Sequence, residues 1–348
     1  MAYTTIKPQD NFNSVLYTGD ETPRTITVGL QPDFTWTKAR SIAHSHIITD
    51  SVTGVGKRLR LNVNNAQDTS GASVESFVST GYTLTNDATI NETGTTNVSW
   101  NFKAGTTSGI TTNGSTTITP IAYSFNATTG FSIIHRNGTG AAGLFPHGLG
   151  ATPGIVLTKT LNTSNNWFLQ SNLLGANSWT ADNYLSVNTA ASKGSSSAIV
   201  NAADSVNVSL AGSDDWVNSS SNSYVDYIWT PVQGYSAMGI YEGNGNADGC
   251  FVYCGFRPAF VMVKNTSTSD NFNIVDDKRV GYNFSNYRLF ANDGAVENTS
   301  SGRISILSNG FVVKSADADC NGSGNKIFYM AFASDPLVYS DNDIALAR

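Results

Sequence analysis

The strongest constraint on the fold is a short box that occurs three times along the chain. It consists of a glycine, an apolar residue, a proline, an apolar run and a lysine. The copies span residues 29–38, 148–159 and 255–264, and the second copy has two extra residues before its proline. Such internal similarity indicates repeated structural units. The sequence therefore predicts that the chain arose by triplication.

Other features recur around each box in the same order. A leucine precedes an asparagine by three residues in each unit, at Leu61 and Asn64, Leu185 and Asn188, and Leu289 and Asn292. Each unit closes on an alternating segment whose paired residues are Trp100 and Phe102, Tyr227 and Trp229, and Met330 and Phe332. Because side chains alternate between the two faces of a strand, each closing pair shares one face. We expect these six side chains to lie in the core.

Composition indicates that the repeated units are built from strands. Only 13% of the residues are charged and 32 are glycine, whereas a globular domain has about 25% charged residues. Serine, threonine, asparagine and glycine, which replace the charges, are poor helix formers. Turn signals separate short alternating segments, a pattern typical of sandwiches and barrels. The predicted fold is all-β, with three tandem β-sandwich-like repeats joined by connectors rich in serine, threonine and glycine.

The recurring features place the repeats at 12–103, 131–233 and 236–337. Residues 104–130 form a connector that can itself pair as a strand around 118–125, and residues 338–348 form a C-terminal tail. A proline lacks the N–H that a central strand position requires, so it favours a strand start. We expect Pro32, Pro153 and Pro258 to stand at equivalent strand starts.

Charge and hydropathy exclude several classes of function. The formal net charge is −6 and no basic stripe is present, so nucleic acid is not expected as a partner. No apolar run reaches the ~18 residues of a membrane helix, and we predict no membrane insertion. The first residues lack a basic region followed by an apolar stretch, so no secretory signal is predicted. Three cysteines cannot build a disulfide framework and are expected to stay reduced.

Neither a metal site nor a catalytic site is predicted. His44 and His46 form a two-residue pair without further nearby ligands, and a zinc site needs more. Residues 317–322 match the first half of a calcium loop, but Phe328 stands where the bidentate glutamate should be, so a hairpin loop is favoured. Adjacent carboxylates point to opposite faces of a strand and cannot flank a sugar together. We therefore expect no cofactor, no metal and no enzymatic activity.

One candidate ligand site lies in the second repeat. Tryptophans flanked by asparagine or aspartate combine a stacking surface with short hydrogen-bonding groups, as glycan sites do. The candidate residues are Asn166, Trp167, Trp179 and Trp216. The alternative is that each tryptophan anchors its strand in the core.

Three segments give the chain a resemblance to a known family. The box at 255–264, the Asn-Gly-Phe at 309–311 and the closing segment at 329–333 resemble repetitive β-rich proteins encoded in virion-structure gene clusters of marine tailed bacteriophages. The resemblance covers essentially the whole chain. It implies a virion component, and it implies no catalytic motif whose residues could be transferred.

On this resemblance we expect a non-enzymatic tail fibre or host-surface adhesin that is made in the host cytoplasm and resides in the virion. The expected partners are other virion proteins and a host-cell-surface glycan. Open sandwich edges need covering, so a homo-oligomer, specifically a trimer, is also expected. The alternatives are a capsid-decorating protein and a polysaccharide-degrading tail protein.

Overall fold

Strands carry almost all of the regular structure, as the composition predicts. The computed structural model describes residues 4–71, 73–175, 179, 183–196, 200–279, 287–300 and 302–336. Helical structure within these residues is limited to short turns, among them Pro8–Asp10, Ala88–Asn91, Asn172–Leu174 and Ala318–Asn321. The prediction of an all-β fold made of sandwich-like repeats is confirmed.

The strands are named in chain order. The first repeat contains β1 (Phe12–Thr18), β2 (Arg24–Thr27), β3 (Phe34–Ala39), β4 (Ile47–Asp50), β5 (Leu59–Arg60), β6 (Val74–Val78), β7 (Gly81–Leu84) and β8 (Thr96–Phe102). The connector contains β9 (Ala122–Asn126). The second repeat contains β10 (Phe131–Asn137), β11 (Gly143–Pro146), β12 (Ile155–Thr160), β13 (Phe168–Gln170), β14 (Asn183–Ser186), β15 (Gly194–Ser195), β16 (Val200–Ala203), β17 (Asn207–Leu210) and β18 (Ser223–Trp229). The third contains β19 (Ser236–Glu242), β20 (Phe251–Tyr253), β21 (Phe256–Asn265), β22 (Asn273–Asp276), β23 (Leu289–Phe290), β24 (Ile304–Leu307), β25 (Gly310–Val313) and β26 (Lys326–Pro336).

The three repeats share one antiparallel topology. In the first, a five-stranded sheet has the order β1-β8-β3-β4-β5 and a three-stranded sheet has the order β2-β7-β6. The third repeat has the equivalent orders β19-β26-β21-β22-β23 and β20-β25-β24. The second repeats the same pattern, with β15 and the connector strand β9 added at the two edges of its large sheet.

Strand register shows how the three boxes correspond. The residue two positions after each box proline pairs with the last aromatic residue of the closing strand, as Phe34 with Phe102, Ile155 with Trp229, and Phe260 with Phe332. The extra residues of the second copy lie before β12 and leave this register unchanged. Pro32 and Pro153 precede their strands, whereas Pro258 lies inside β21 at a register shift against β26.

One face of each large sheet packs against the other two large sheets in a shared central core. All six closing-strand residues predicted for the core are buried there, which confirms that prediction. Phe102 lies at the junction of the repeats, because its ring is 5.4 Å from Phe131 and 4.8 Å from Phe332. An apolar void of only about 30 Å³ remains between the sheets. The centre of the molecule is therefore a packed core and not a channel.

The opposite face of each large sheet packs on the small sheet of the same repeat, and these outer cores differ. The first repeat buries the hydroxyls of Thr35 and Thr37. The second buries an ion pair, in which Arg136 Nε donates to Asp226 Oδ2 over 2.7 Å. The third repeat has Val261 and Val263 in the same layer. The outer cores have diverged, whereas the shared topology has not.

Hydrogen bonds from closing strands to buried aspartates of another repeat cross two of the three seams. Tyr227 of the second repeat donates to Asp50 Oδ2 of the first over 2.7 Å. Trp100 of the first donates to Asp276 Oδ2 of the third over 3.0 Å. Between the second and third repeats the equivalent donor position holds Met330, which has no hydrogen to donate. Two of the three seams therefore carry a hydrogen bond from the closing strand to an aspartate, and the seam between the second and third repeats does not.

The box lysines bridge the same seams. Lys159 Nζ donates to the Asn64 carbonyl of the first repeat over 3.1 Å, and Lys264 Nζ donates to the Ala190 carbonyl of the second over 2.9 Å. Lys38 faces the charges of Asp293 and Glu297 in the third repeat. All three lysines are fully buried. Burial lowers the pKa of each ammonium group to about 8, because the charged form loses its hydration.

In each repeat, a buried asparagine is hydrogen-bonded to the backbone that follows the first strand. Asn91, Asn218 and Asn321 are inaccessible to solvent, and each side-chain oxygen accepts the backbone N–H of a residue just after the first strand of its repeat. This role accounts for the calcium-like segment of the third repeat. The predicted hairpin loop is wrong there, because Ala318–Asn321 form a helical turn and Asp317 and Asp319 pair with Arg303 and Arg288.

The structure also corrects the leucine–asparagine alignment of the first repeat. The side-chain oxygens of Asn188 and Asn292 each accept the backbone N–H of the residue immediately before the fourth strand of their repeat, at Trp167 and Phe272. In the first repeat the same bond joins Asn62 to the His46 N–H. The equivalent pair is therefore Leu59 and Asn62, two residues before the predicted Leu61 and Asn64.

Replacing Tyr227 by phenylalanine removes the hydrogen bond to Asp50 at the seam between the first two repeats. We expect Tyr227→Phe to lower the free energy of unfolding by about 1–3 kcal/mol, the usual cost of losing a buried bond to a charged group. Met330→Leu changes the equivalent position without altering a polar contact and is expected to cost less than about 1.5 kcal/mol. Urea unfolding of both variants checks the difference, and equal losses would contradict the role of this bond.

The buried lysines predict that stability rises in mild alkali. Between about pH 8 and 10 the unfolded chain still binds protons that these lysines have lost in the folded protein, so the free energy of unfolding increases with pH. From pH 7.5 to 9.5 the gain is on the order of 1 kcal/mol for each lysine. Urea titrations should show a smaller rise for Lys159→Met and an unchanged rise for Lys314→Met, which alters a surface lysine. A flat profile in the parent protein would contradict the prediction.

Candidate functional site

An open recess of about 1010 Å³ lies between the first repeat and the connector strand β9. Its walls come from six separate segments: the turn before β1, the turn before β3, the turn after β4, the turn between β6 and β7, the connector just after β8, and the start of β9. Apart from the residues of β9, these segments lie outside the strands. Loops on a rigid β-scaffold are where binding residues are usually found.

Asp33 holds three of these walls in place. Its Oδ1 accepts hydrogen bonds from Ser51 Oγ over 2.8 Å and from Ser124 Oγ over 3.1 Å. Its Oδ2 accepts the Ala104 N–H over 2.9 Å. A single carboxylate therefore joins the turn after β4, the strand β9 and the connector. Such fixed groups give a recess a defined shape before any ligand arrives.

The groups that line the recess combine hydrogen-bonding and apolar surface. Gln31, Ser51, Ser79 and Thr107 expose amide and hydroxyl groups, and Ile121 is 55% exposed. Beside them lies the half-buried ring of Tyr123, whose hydroxyl accepts the Ile110 N–H over 3.3 Å. Amides and hydroxyls can bond the hydroxyls of a sugar, while apolar side chains contact its C–H groups.

The structure separates the four residues predicted to bind a glycan. Trp167 is fully buried in the central core, where its indole N–H donates to the Arg60 carbonyl of the first repeat over 2.9 Å. This position corrects the stacking role expected for Trp167, because a buried ring offers no face to a sugar. Asn166 is half-buried, and its Oδ1 accepts a hydrogen bond from Asn188 over 2.9 Å.

Trp179 and Trp216 lie on the other side of the same sheet. Both are partly buried against the outer core of the second repeat. Trp216 stacks on Phe168 with ring centroids 4.5 Å apart. Phe168, the first residue of β13, follows Trp167 and points to the opposite face, so the sheet lies between Trp167 and these two tryptophans. A glycan role for Trp179 and Trp216 stays a prediction.

The histidine pair serves the fold. Trp36 Nε1 donates to His46 Nδ1 over 2.9 Å, so the proton of the neutral ring is on Nε2, which lies 2.9 Å from the Phe290 carbonyl of the third repeat. Burial, with the nearby Lys38 charge, holds the pKa of His46 well below its usual range. His44 instead pairs with Glu92 over 3.0 Å. Among the described residues, no group of three or more histidine, cysteine or acidic side chains could hold a metal ion.

Sequence reasoning missed the recess because its walls are far apart along the chain. Gln31 and Asp33 flank the box proline, whereas Tyr123 lies about ninety residues away in the connector. The one available signal was the predicted strand within that connector, which indicated that the connector returns to the body of the protein.

Comparisons with known proteins place the chain in a family without assigning it a function. A family described as a domain of unknown function, DUF7483, matches residues 7–336. No curated protein and no solved structure matches the chain. Across the described ranges, no helix is both long and apolar enough to span a membrane. Since the matched region includes all three repeats, the chain belongs to the DUF7483 family.

Proposed function

We propose that this protein is a non-enzymatic structural component of a tailed-phage particle that attaches the particle to the host surface. The resemblance of its repeats to virion proteins of marine tailed phages supports the proposal that it is part of a phage particle. The recess beside β9 is the observation that supports attachment. In this proposal the protein is made in the host cytoplasm, resides in the virion among other virion proteins, and assembles there as a homotrimer.

The ligand that the recess fits best is a host-cell-surface glycan. Its exposed amide and hydroxyl groups suit a hydroxyl-rich molecule, and Ile121 with Tyr123 supplies apolar contact. The lining also carries charges of both signs, at Asp10, Asp33 and Lys103, and such groups can bond sugar hydroxyls as well. A formal charge of −6 over 348 residues gives little long-range attraction, which salt would in any case screen beyond about 10 Å. Recognition would therefore rest on short-range hydrogen bonds and contact.

The double variant Gln31→Ala/Thr107→Ala removes two exposed hydrogen-bonding groups from the recess. We expect it to weaken adsorption of the purified protein to host cells at least about tenfold. Each lost hydrogen bond removes ~1 kcal/mol of binding free energy, and about 1.4 kcal/mol corresponds to a tenfold change in affinity. The matched control is Ser108→Ala/Thr111→Ala, which changes exposed connector residues that do not line the recess. Circular dichroism verifies that both variants are folded. Unchanged adsorption of the recess variant would contradict this site.

Immunogold labelling of intact particles tests the place of the protein in the virion. Labelling of the tail is the expected result for an adhesin. Labelling of the head at symmetry-related positions would instead favour a capsid-decorating protein. Release of soluble sugar from host envelopes by the purified protein would contradict the non-enzymatic proposal.

A further inference from the structure

The first strand of each repeat lies at an edge of its large sheet, and the chain covers one of these edges itself. In the second repeat, β9 pairs along β10 from Ala122 opposite His135 to Asn126 opposite Phe131. The Ile121 N–H extends this pairing with a 2.7 Å bond to the His135 carbonyl. A single connector strand therefore satisfies the outward backbone groups of β10.

Among the described residues, no strand covers the equivalent edge in the third repeat. The bonds from Gly243 N–H to Asn325 and from Ala333 N–H to Tyr235 show that the odd-numbered residues of β19 face β26. Because backbone direction alternates along an antiparallel strand, Met238 and Ile240 turn their N–H and C=O groups outward. In the part of the chain that the structure describes, these outward groups have no hydrogen-bond partner.

A groove of about 700 Å³ runs beside this edge. The third repeat contributes Ile240, which stands at the position of His135 in the second repeat. Across the groove, the second repeat contributes Leu173 and Leu174. The groove thus lies at the seam between the second and third repeats, at the place that β9 occupies beside β10 one seam earlier.

The groove is also basic. Lys193 and Lys326 line it, and no acidic side chain does. Lys193 Nζ donates to the Leu174 carbonyl over 3.0 Å, and Lys326 pairs at the surface with Glu242. A strand that enters here meets apolar surface from Leu173, Leu174 and Ile240, together with two ammonium groups.

We propose that this groove binds an extended acidic segment of a partner polypeptide, which adds to β19 as an antiparallel strand. Unpaired strand edges are templates for such addition. The equivalent edge is filled by a single strand and not by the edge of another sheet, so the geometry favours an isolated segment over a second copy of the protein. This inference does not depend on the glycan recess, which lies one seam away.

Two synthetic peptides test the proposal against the full-length protein. Both carry residues 120–128, which include β9, and they differ by Ala122→Glu or Ala122→Lys. In the register of β9, position 122 lies opposite Ile240, and directly paired residues share one face of a sheet, so its side chain faces the groove. We expect fluorescence anisotropy to show tighter binding of the glutamate peptide. Absence of binding by both peptides at about 1 mM, or tighter binding of the lysine peptide, would overturn the proposal.

Variants of the protein locate the binding edge. Ile240→Pro removes an outward N–H and leaves the bonds to β26 in place, so we expect at least about a tenfold loss of affinity for the glutamate peptide. Ile240→Val keeps the N–H and is the matched control with unchanged affinity. Lys193→Glu is expected to abolish the preference for the glutamate peptide over the lysine peptide. If Ile240→Pro does not fold, an unchanged preference in Lys193→Glu would overturn the proposal. Full affinity in a folded Ile240→Pro variant would overturn the assignment to β19.

Discussion

The fold depends on mutual burial of the inner faces of three large sheets. No repeat can bury that face alone, because its own small sheet already covers the opposite face. The aromatic side chains at the junction, among them Phe102, Phe131 and Phe332, each contact rings from another repeat. At about 25 cal/mol for each Å² of apolar surface removed from water, this contact dominates the association of the repeats. The hydrogen bonds at the seams then fix which repeat lies beside which.

The sequence was most informative where the repeats agree and least informative where segments from different repeats meet. The closing-strand aromatics could be assigned to the core because alternation places them on one face. Trp167 could not be assigned, because its asparagine neighbours suggested exposure. Its indole N–H instead finds the Arg60 carbonyl of another repeat, a partner about one hundred residues away in sequence. Local composition does not encode such contacts, and the recess beside β9 was missed for the same reason.

Divergence among the repeats is concentrated where packing tolerates it. Positions that face the central core keep large apolar side chains, whereas the outer cores exchange hydroxyls, an ion pair and valines in the same layer. The buried ion pair of Arg136 and Asp226 is costly to desolvate unless its geometry is good. Arg136 meets that condition, because it also donates to the Val217 carbonyl and lies over the ring of Phe145. A polar outer core therefore coexists with an unchanged sheet topology.

The position of β26 has a consequence for synthesis of the chain. This strand lies between β19 and β21, so the third large sheet is incomplete until almost the last described residues leave the ribosome. Until then, the aromatic faces of the first two repeats have no third surface to cover them. Exposed apolar surface of this kind promotes aggregation of nascent chains. The translation rate and the availability of chaperones should therefore affect the yield of this protein more than that of a chain whose domains fold independently one after another.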